Sequence, residues 1–237
     1  MRLVRHLGRY GILGTLLLLA LTSRSEAQTD QLLPEIDAYY KISSPLRIWF
    51  QAKQTREDGA PATAEIGPSL DFYVKSPLKL AAITAFDLDD SKSRLLVFSV
   101  GYRYLPNPNA APTNRLLPFF VLNSPVPRIN FLLSDRNRAD LDWQGGSFTW
   151  RYRNRIQLER TTRIGSYHLS PYASAEFFYS SQYSKWSTTS LFAGCLFPIG
   201  KHVQFNPYYE HQNSTGKSPN QQYNQLGLML NLFFGQR

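Results

Sequence analysis

The chain has 237 residues and a formal charge of +9, with 14% aromatic residues, 18% charged residues and a single cysteine. One cysteine excludes a disulfide within the chain, and Cys195 lies too far from any leader cleavage point to carry a lipoprotein anchor. Mean hydropathy is −0.32, and no segment after the leader is long and apolar enough for a membrane helix.

Arg2, Arg5 and Arg9 precede an apolar run from Tyr10 to Leu21, which is followed by Ser25-Glu26-Ala27. That basic, apolar, small-residue order predicts a cleaved signal peptide over 1–27, and an apolar run this short falls below the ~20 residues of a spanning helix. Its removal takes four arginines and one glutamate, leaving 28–237 as one basic domain of formal charge +6. Export and the absence of an exposed arginine run argue against nucleic acid as a partner.

From residue 35 onward the dominant signal is a period of two. Ile36, Ala38 and Tyr40 oppose Glu35, Asp37, Tyr39 and Lys41. Leu46, Ile48, Phe50 and Ala52 oppose Arg47, Gln51 and Lys53, and in 64–75 Ile66, Leu70, Phe72 and Val74 oppose Glu65, Ser69, Asp71 and Lys75. A weaker run covers 79–88, and in 96–104 Leu96, Phe98, Val100, Tyr102 and Tyr104 oppose Ser99, Gly101 and Arg103. Further runs follow at 114–123 and 131–143. The clearest is 147–160, where Phe148, Trp150, Tyr152, Ile156 and Leu158 alternate with Arg151, Arg153, Arg155, Gln157 and Glu159. Runs at 172–182, 187–198 and 203–212 and a C-terminal one complete the series. Strand side chains alternate faces, so each run presents one apolar and one polar face. Ser43-Ser44-Pro45, Pro106-Asn107-Pro108-Asn109, Gln144-Gly145-Gly146 and Asn213-Ser214-Thr215-Gly216 punctuate the runs as turns.

The expected fold is all-β: a single closed antiparallel transmembrane barrel of about 12 strands, or about 10 without the weak run at 79–88. A soluble β-sandwich, which would make a periplasmic binding protein, is the rival. The barrel is favoured because arginines and acids on the polar faces suit an enclosed lumen, where charges must be paired or hydrated. Tyr102, Tyr104, Trp143, Trp150, Tyr179 and Trp186 near strand ends suit interfacial girdles. Gln225, Gly227, Leu230, Leu232 and Phe234 resemble the C-terminal signal of the barrel-insertion machinery, although Gly235-Gln236-Arg237 follows the aromatic residue.

Pro34-Glu35-Ile36, Gly101-Tyr102-Arg103-Tyr104, Asp135-Arg136-Asn137-Arg138, Asp140-Leu141, Trp150-Arg151-Tyr152-Arg153-Asn154-Arg155 and Glu176-Phe177-Phe178-Tyr179 can now be taken together. The set resembles a bacterial domain-of-unknown-function family, number twenty-four ninety, grouped with outer-membrane barrels. The resemblance spans nearly all of 28–237 and implies an outer-membrane barrel without an assigned activity.

Arg136, Arg138 and Asp140 share one strand face, and Gly145-Gly146 returns the chain beside them with Arg151, Arg153 and Arg155. Five arginines on neighbouring strands repel unless acids intervene, which points to Glu159, Glu176, Glu210, Asp71 and Glu65 as counter-charges. Such a network either rigidifies a filled lumen or forms an anion-selective constriction for small anionic solutes.

An enzyme is the remaining class. His211 with Ser214 and Asn224 resembles the His-x-Ser element of outer-membrane phospholipases and lipid A deacylases. Parity, however, places Asn213 beside His211 and turns Ser214 away, so no nucleophile is expected near the base. His168-Leu169-Ser170 has the spacing but falls in a turn. The expectation is therefore no enzyme, no cofactor and no metal. His6 belongs to the leader, the other histidines are isolated, and Asp87-Leu88-Asp89-Asp90 reads as a solvated acidic turn. A monomer among outer-membrane lipids is the expected state.

Overall fold

The computed structural model describes residues 28–57, 60–74, 88–107, 110–216 and 218–235. The leader expected at 1–27 with its His6, nearly all of the weak run at 79–88, and Asp87 lie outside the described residues.

The alternating runs fold as strands. In chain order they are β1 (Gln28–Ser43), β2 (Leu46–Glu57), β3 (Ala60–Tyr73), β4 (Leu96–Leu105), β5 (Thr113–Val126) and β6 (Phe131–Gln144). Then come β7 (Ser147–Arg160), β8 (Thr162–Ile164), β9 (Tyr167–Ser180), β10 (Lys185–Ile199), β11 (Val203–Ser214) and β12 (Gln221–Phe234). Neighbours pair antiparallel from β1 to β7, β7 pairs β9, and β9 to β12 continue in order. The ring closes where β12 meets β1 in parallel, from Gln28 opposite Gln222 to Tyr40 opposite Phe234. Eleven strands thus form one closed barrel, with the short β8 appended to β9 alone.

An all-antiparallel ring of even number was expected, and the closure differs for a geometric reason. Strands that alternate direction around an odd ring leave the last one running the same way as the first. The expected even number included a strand at 79–88, yet β3 and β4 pair directly with each other, so none stands between them. A single closed sheet also removes the sandwich, which needs two sheets packed face to face.

The odd number places the start of β1 and the end of β12 at opposite ends of the barrel. One end carries the connections at 57–60, 105–113, 144–147, 180–185 and 214–221, and is called the mouth below. At the other end lies a strap, residues 88–95, built around a 3-10 turn at Asp90–Ser93. Gly145 and Gly146 at the mouth, with φ of 55° and 82°, form the two-residue hairpin turn whose left-handed positions favour glycine. That turn sets the β6–β7 register: Arg136 opposite Arg155, Arg138 opposite Arg153, Asp140 opposite Arg151.

The distribution of side chains is inverted relative to a soluble domain. Among the described residues, 22 polar or charged residues are buried against 10 hydrophobic ones, while 33 large hydrophobic residues are exposed. Soluble proteins bury apolar residues and rarely leave a contiguous apolar surface this large. The exposed set includes Ile36, Phe50, Phe98, Ile156 and Leu191, all from the apolar faces of the sequence runs. Around the mouth, outward aromatic rings touch in sequence: Trp143 with Phe148, Trp150 with Tyr179, and Tyr179 with Trp186. Inside, a small apolar cluster of Leu33, Phe192 and Tyr208, joined by Tyr172 and Met229, fills part of the barrel.

Candidate functional site

The barrel interior is built from the polar faces of the same strands. On β6, β7 and β9 two carboxylates, Asp140 and Glu176, have no exposed surface. Asp140 accepts from Arg138 Nε at 2.5 Å, Arg151 Nη2 at 3.1 Å and Arg153 Nη1 at 3.5 Å. Glu176 accepts from Arg136 Nη2 at 3.0 Å, from Arg153 Nη2 at 2.9 Å and from Arg155 Nη2 at 2.7 Å. Five guanidiniums surround two carboxylates, and Glu65 offsets one more charge because Arg115 already balances Asp142, so this wall keeps two positive charges in excess. Arg153 and Arg155 also lie over the rings of Phe178 and Phe192, at 4.3 and 4.0 Å. Planar guanidiniums can both stack and donate along fixed directions, so arginine suits this crowding better than lysine.

The remaining expected counter-charges stand elsewhere. Glu65 on β3 pairs with Arg115 at 3.2 Å, and Arg115 also grips Asp142 through Nε at 2.6 Å and Nη2 at 2.9 Å. Asp71 belongs to Arg47, at 2.7 Å, and also accepts from Trp49 and Ser99. Glu159 takes Lys92 of the strap at 2.8 Å. Glu210, buried on β11, stands between the two sides of the ring, within electrostatic reach of Arg155 on β7 and of Lys53 on β2.

Several interior residues were not singled out from the sequence. Glu35 and Asp37 on β1 are buried. Glu35 accepts from Gln51 and lies 3.7 Å from Lys53, while Asp37 accepts from Tyr39 Oη at 3.1 Å. Arg103 is 1% exposed and is held by Gln51, Ser69 and the Pro68 and Tyr102 carbonyls, above the ring of Trp49 at 4.7 Å. Their inward parity was visible in each run, but not which strand faces which.

The acidic turn Asp89-Asp90, expected to be solvated, turns inward as the strap. Asp89 receives Arg47 Nη1 at 2.6 Å and the Ser91 amide at 3.0 Å, and Asp90 receives Lys41 at 2.5 Å. Lys92 crosses to Glu159 on β7, and Asn123 on β5 donates to the Ser91 and Arg94 carbonyls. The strap therefore ties β1, β2, β5 and β7 together across this end of the barrel. Burial alone would raise the Asp89 carboxyl, but Arg47, then Lys92 and two hydrogen bonds, outweigh it and hold it below its ordinary value.

A cavity of about 480 Å³ occupies the interior between these groups. It shares Arg151, Gln212 and Gln225 with a second cavity of about 290 Å³ at the mouth, whose other lining residues are uncharged. Gln225 and Gly227 of the C-terminal motif point inward, and Leu226, Leu228 and Phe234 point outward and are exposed, with Leu230 and Leu232 on their side of the strand. His211 Nδ1 donates at 2.9 Å to Asn224 Oδ1, which also accepts from the outward Tyr209, so His211 shares that outer face. Ser214 lines the mouth cavity with its Oγ 3.4 Å from Thr188, on the other face of β11. Ser170 is buried on β9 beside Thr161. Among the described residues no three His, Cys, Asp or Glu side chains converge on a metal position.

The fold and interior define a closed β-barrel protein with an apolar outer wall and a charged core. Residues 30–224 match a family model, and the chain belongs to the family described as "Protein of unknown function (DUF2490)". No curated protein matches the chain significantly.

Proposed function

We propose that this chain is an outer-membrane β-barrel whose arginine-lined lumen is a narrow, anion-preferring conduit closed at one end by the strap. The inverted side-chain distribution carries the reading: an apolar outer wall is stable against lipid, and closure satisfies every backbone group where water is absent. The ring strands, of 10 to 16 residues, meet or exceed the ~9–11 needed to cross a bilayer at a tilt. The outward aromatic rings at the mouth suit a headgroup boundary, and the outward leucines of β12 suit delivery by the barrel-insertion machinery. The excess positive charge on the β6–β7–β9 wall favours small anionic solutes over cations.

Planar-bilayer conductance tests this. The wild-type protein is expected to conduct weakly, and a Lys92→Gln variant, which frees the strap from Glu159, to give steadier anion-selective channels. Adding Arg153→Ala should weaken that selectivity. Release of the protein by carbonate, or cation selectivity in the opened variant, would overturn the reading. A second reading, a filled barrel with a purely structural role, is favoured by the apolar cluster in the interior and would be supported by silence in the opened variant. No catalytic role is proposed, because His211 and Ser214 face opposite sides of β11.

A further inference from the structure

The excess positive charge on one side of the interior has a counterpart on the other. In the eleven-strand ring β1 stands five places from β6 one way and five from β7 the other, so the two sites are diametrically opposed. Height along the barrel follows from the registers. From Asp37 the line of pairing runs through Gln51 and Gly67, continues to Arg103 by the register that sets Ile66 opposite Tyr104 and Ser69 opposite Gly101, and climbs through Arg115 to Asp142 at the mouth end of β6. Through Asn231, Gln204 and Pro198 it runs past Glu159 at the other end of β7. Strand tilt makes both arms depart equally from the horizontal, so the point level with Asp37 is the middle of the hairpin, at Arg136 and Arg155. On the β1 side, Glu35, Asp37 and neighbouring Glu210 face Lys53 and Arg103, three acids against two cations.

Both sides also present buried polar atoms with no hydrogen-bond partner in the protein. They are Asp37 Oδ1 on one side and Arg136 Nε and Arg151 Nε on the other. Asp37 is 4% exposed and lines the cavity, and an unpaired buried polar atom costs ~1–3 kcal/mol. A cavity of about 480 Å³ falls within the range of small-molecule sites. From the unpaired atoms, the opposed charges and a mouth lined by uncharged residues apart from Arg151, we infer that the interior binds a small zwitterion, its anionic group toward Arg136 and its ammonium toward Asp37. A simple anion satisfies only one wall, whereas a zwitterion aligns with the field between the two and satisfies both.

The inference rests on the anion-preferring barrel above, and its test separates the two. The full chain in nanodiscs of phosphatidylethanolamine and phosphatidylglycerol is titrated calorimetrically with 4-aminobutyrate, butyrate and butylammonium. The expected result is 4-aminobutyrate binding about tenfold tighter than either singly charged analogue, the worth of one charge-assisted hydrogen bond. Asp37→Asn should bring the ratio over butyrate to about one, and Arg136→Gln the ratio over butylammonium. Heat-modifiable gel mobility verifies that each variant is folded, and the wild-type series decides the matter if a variant is not. Equal binding of butyrate and 4-aminobutyrate would overturn the zwitterion site while leaving the anion preference intact, and no binding of any probe would overturn it as well. Cation selectivity in bilayers would instead overturn the earlier reading.

Discussion

Replacing Glu176 with glutamine is the sharpest test of how the interior holds together. Glu176 has no exposed surface and receives Arg136, Arg153 and Arg155 between 2.7 and 3.1 Å. At 3 Å and an effective dielectric of ~20, each contact has a gross Coulomb energy of about 5 kcal/mol, most of which offsets the desolvation of one buried carboxylate and three half-buried guanidiniums. Neutralising the shared acceptor keeps that desolvation and removes the attraction. It leaves five guanidiniums to Asp140, so the expected loss is about 3–5 kcal/mol. With a urea slope of about 2–3 kcal/mol/M, the unfolding midpoint in lipid vesicles should fall by about 1–2 M. Glu176→Gln combined with Arg155→Gln should recover part of this, because the second change removes one of the stranded charges. A single variant within about 0.5 kcal/mol of wild type would show that solvent already screens the cluster, and the account of a dry, mutually held wall would fail.

Two further outcomes follow from the outer wall and the strap. Ile156, outward at the middle of β7, should cost about 2–4 kcal/mol as Ile156→Arg when unfolding is measured in lipid vesicles. A loss below about 0.5 kcal/mol would mean that this face does not meet hydrocarbon. Asp89 is held below its ordinary value of 3.8, so its contribution is fully present above that value and is lost as pH falls through its lower folded value. Proteolysis of 88–95 should therefore stay suppressed from neutral pH down to about 4 and rise only below it. Release already near pH 6, or an Asp89→Asn variant with wild-type acid sensitivity, would show that another group holds the strap.

Apart from the run at 79–88, the sequence by itself determined where the strands of the ring lie and which face each presents. A period of two is a local property, carried by residues two apart, so Arg151, Arg153 and Arg155 could be placed on one face without knowing their neighbours. Gly145-Gly146 likewise specified the β6–β7 hairpin locally, because both turn positions lie in the left-handed region. Only the tertiary structure decided which acid meets which arginine. Glu176 reaches the cluster because β9 pairs with β7, while Glu159 and Asp71, equally inward, are taken by Lys92 and Arg47. Ring order and strand tilt arise from pairings between distant segments, and they alone bring β1 opposite the β6–β7 hairpin and make the number of closing strands odd. The inward fold of Asp89-Asp90 had no local signal either, since an acidic turn reads the same in sequence whether water or Arg47 receives its charge.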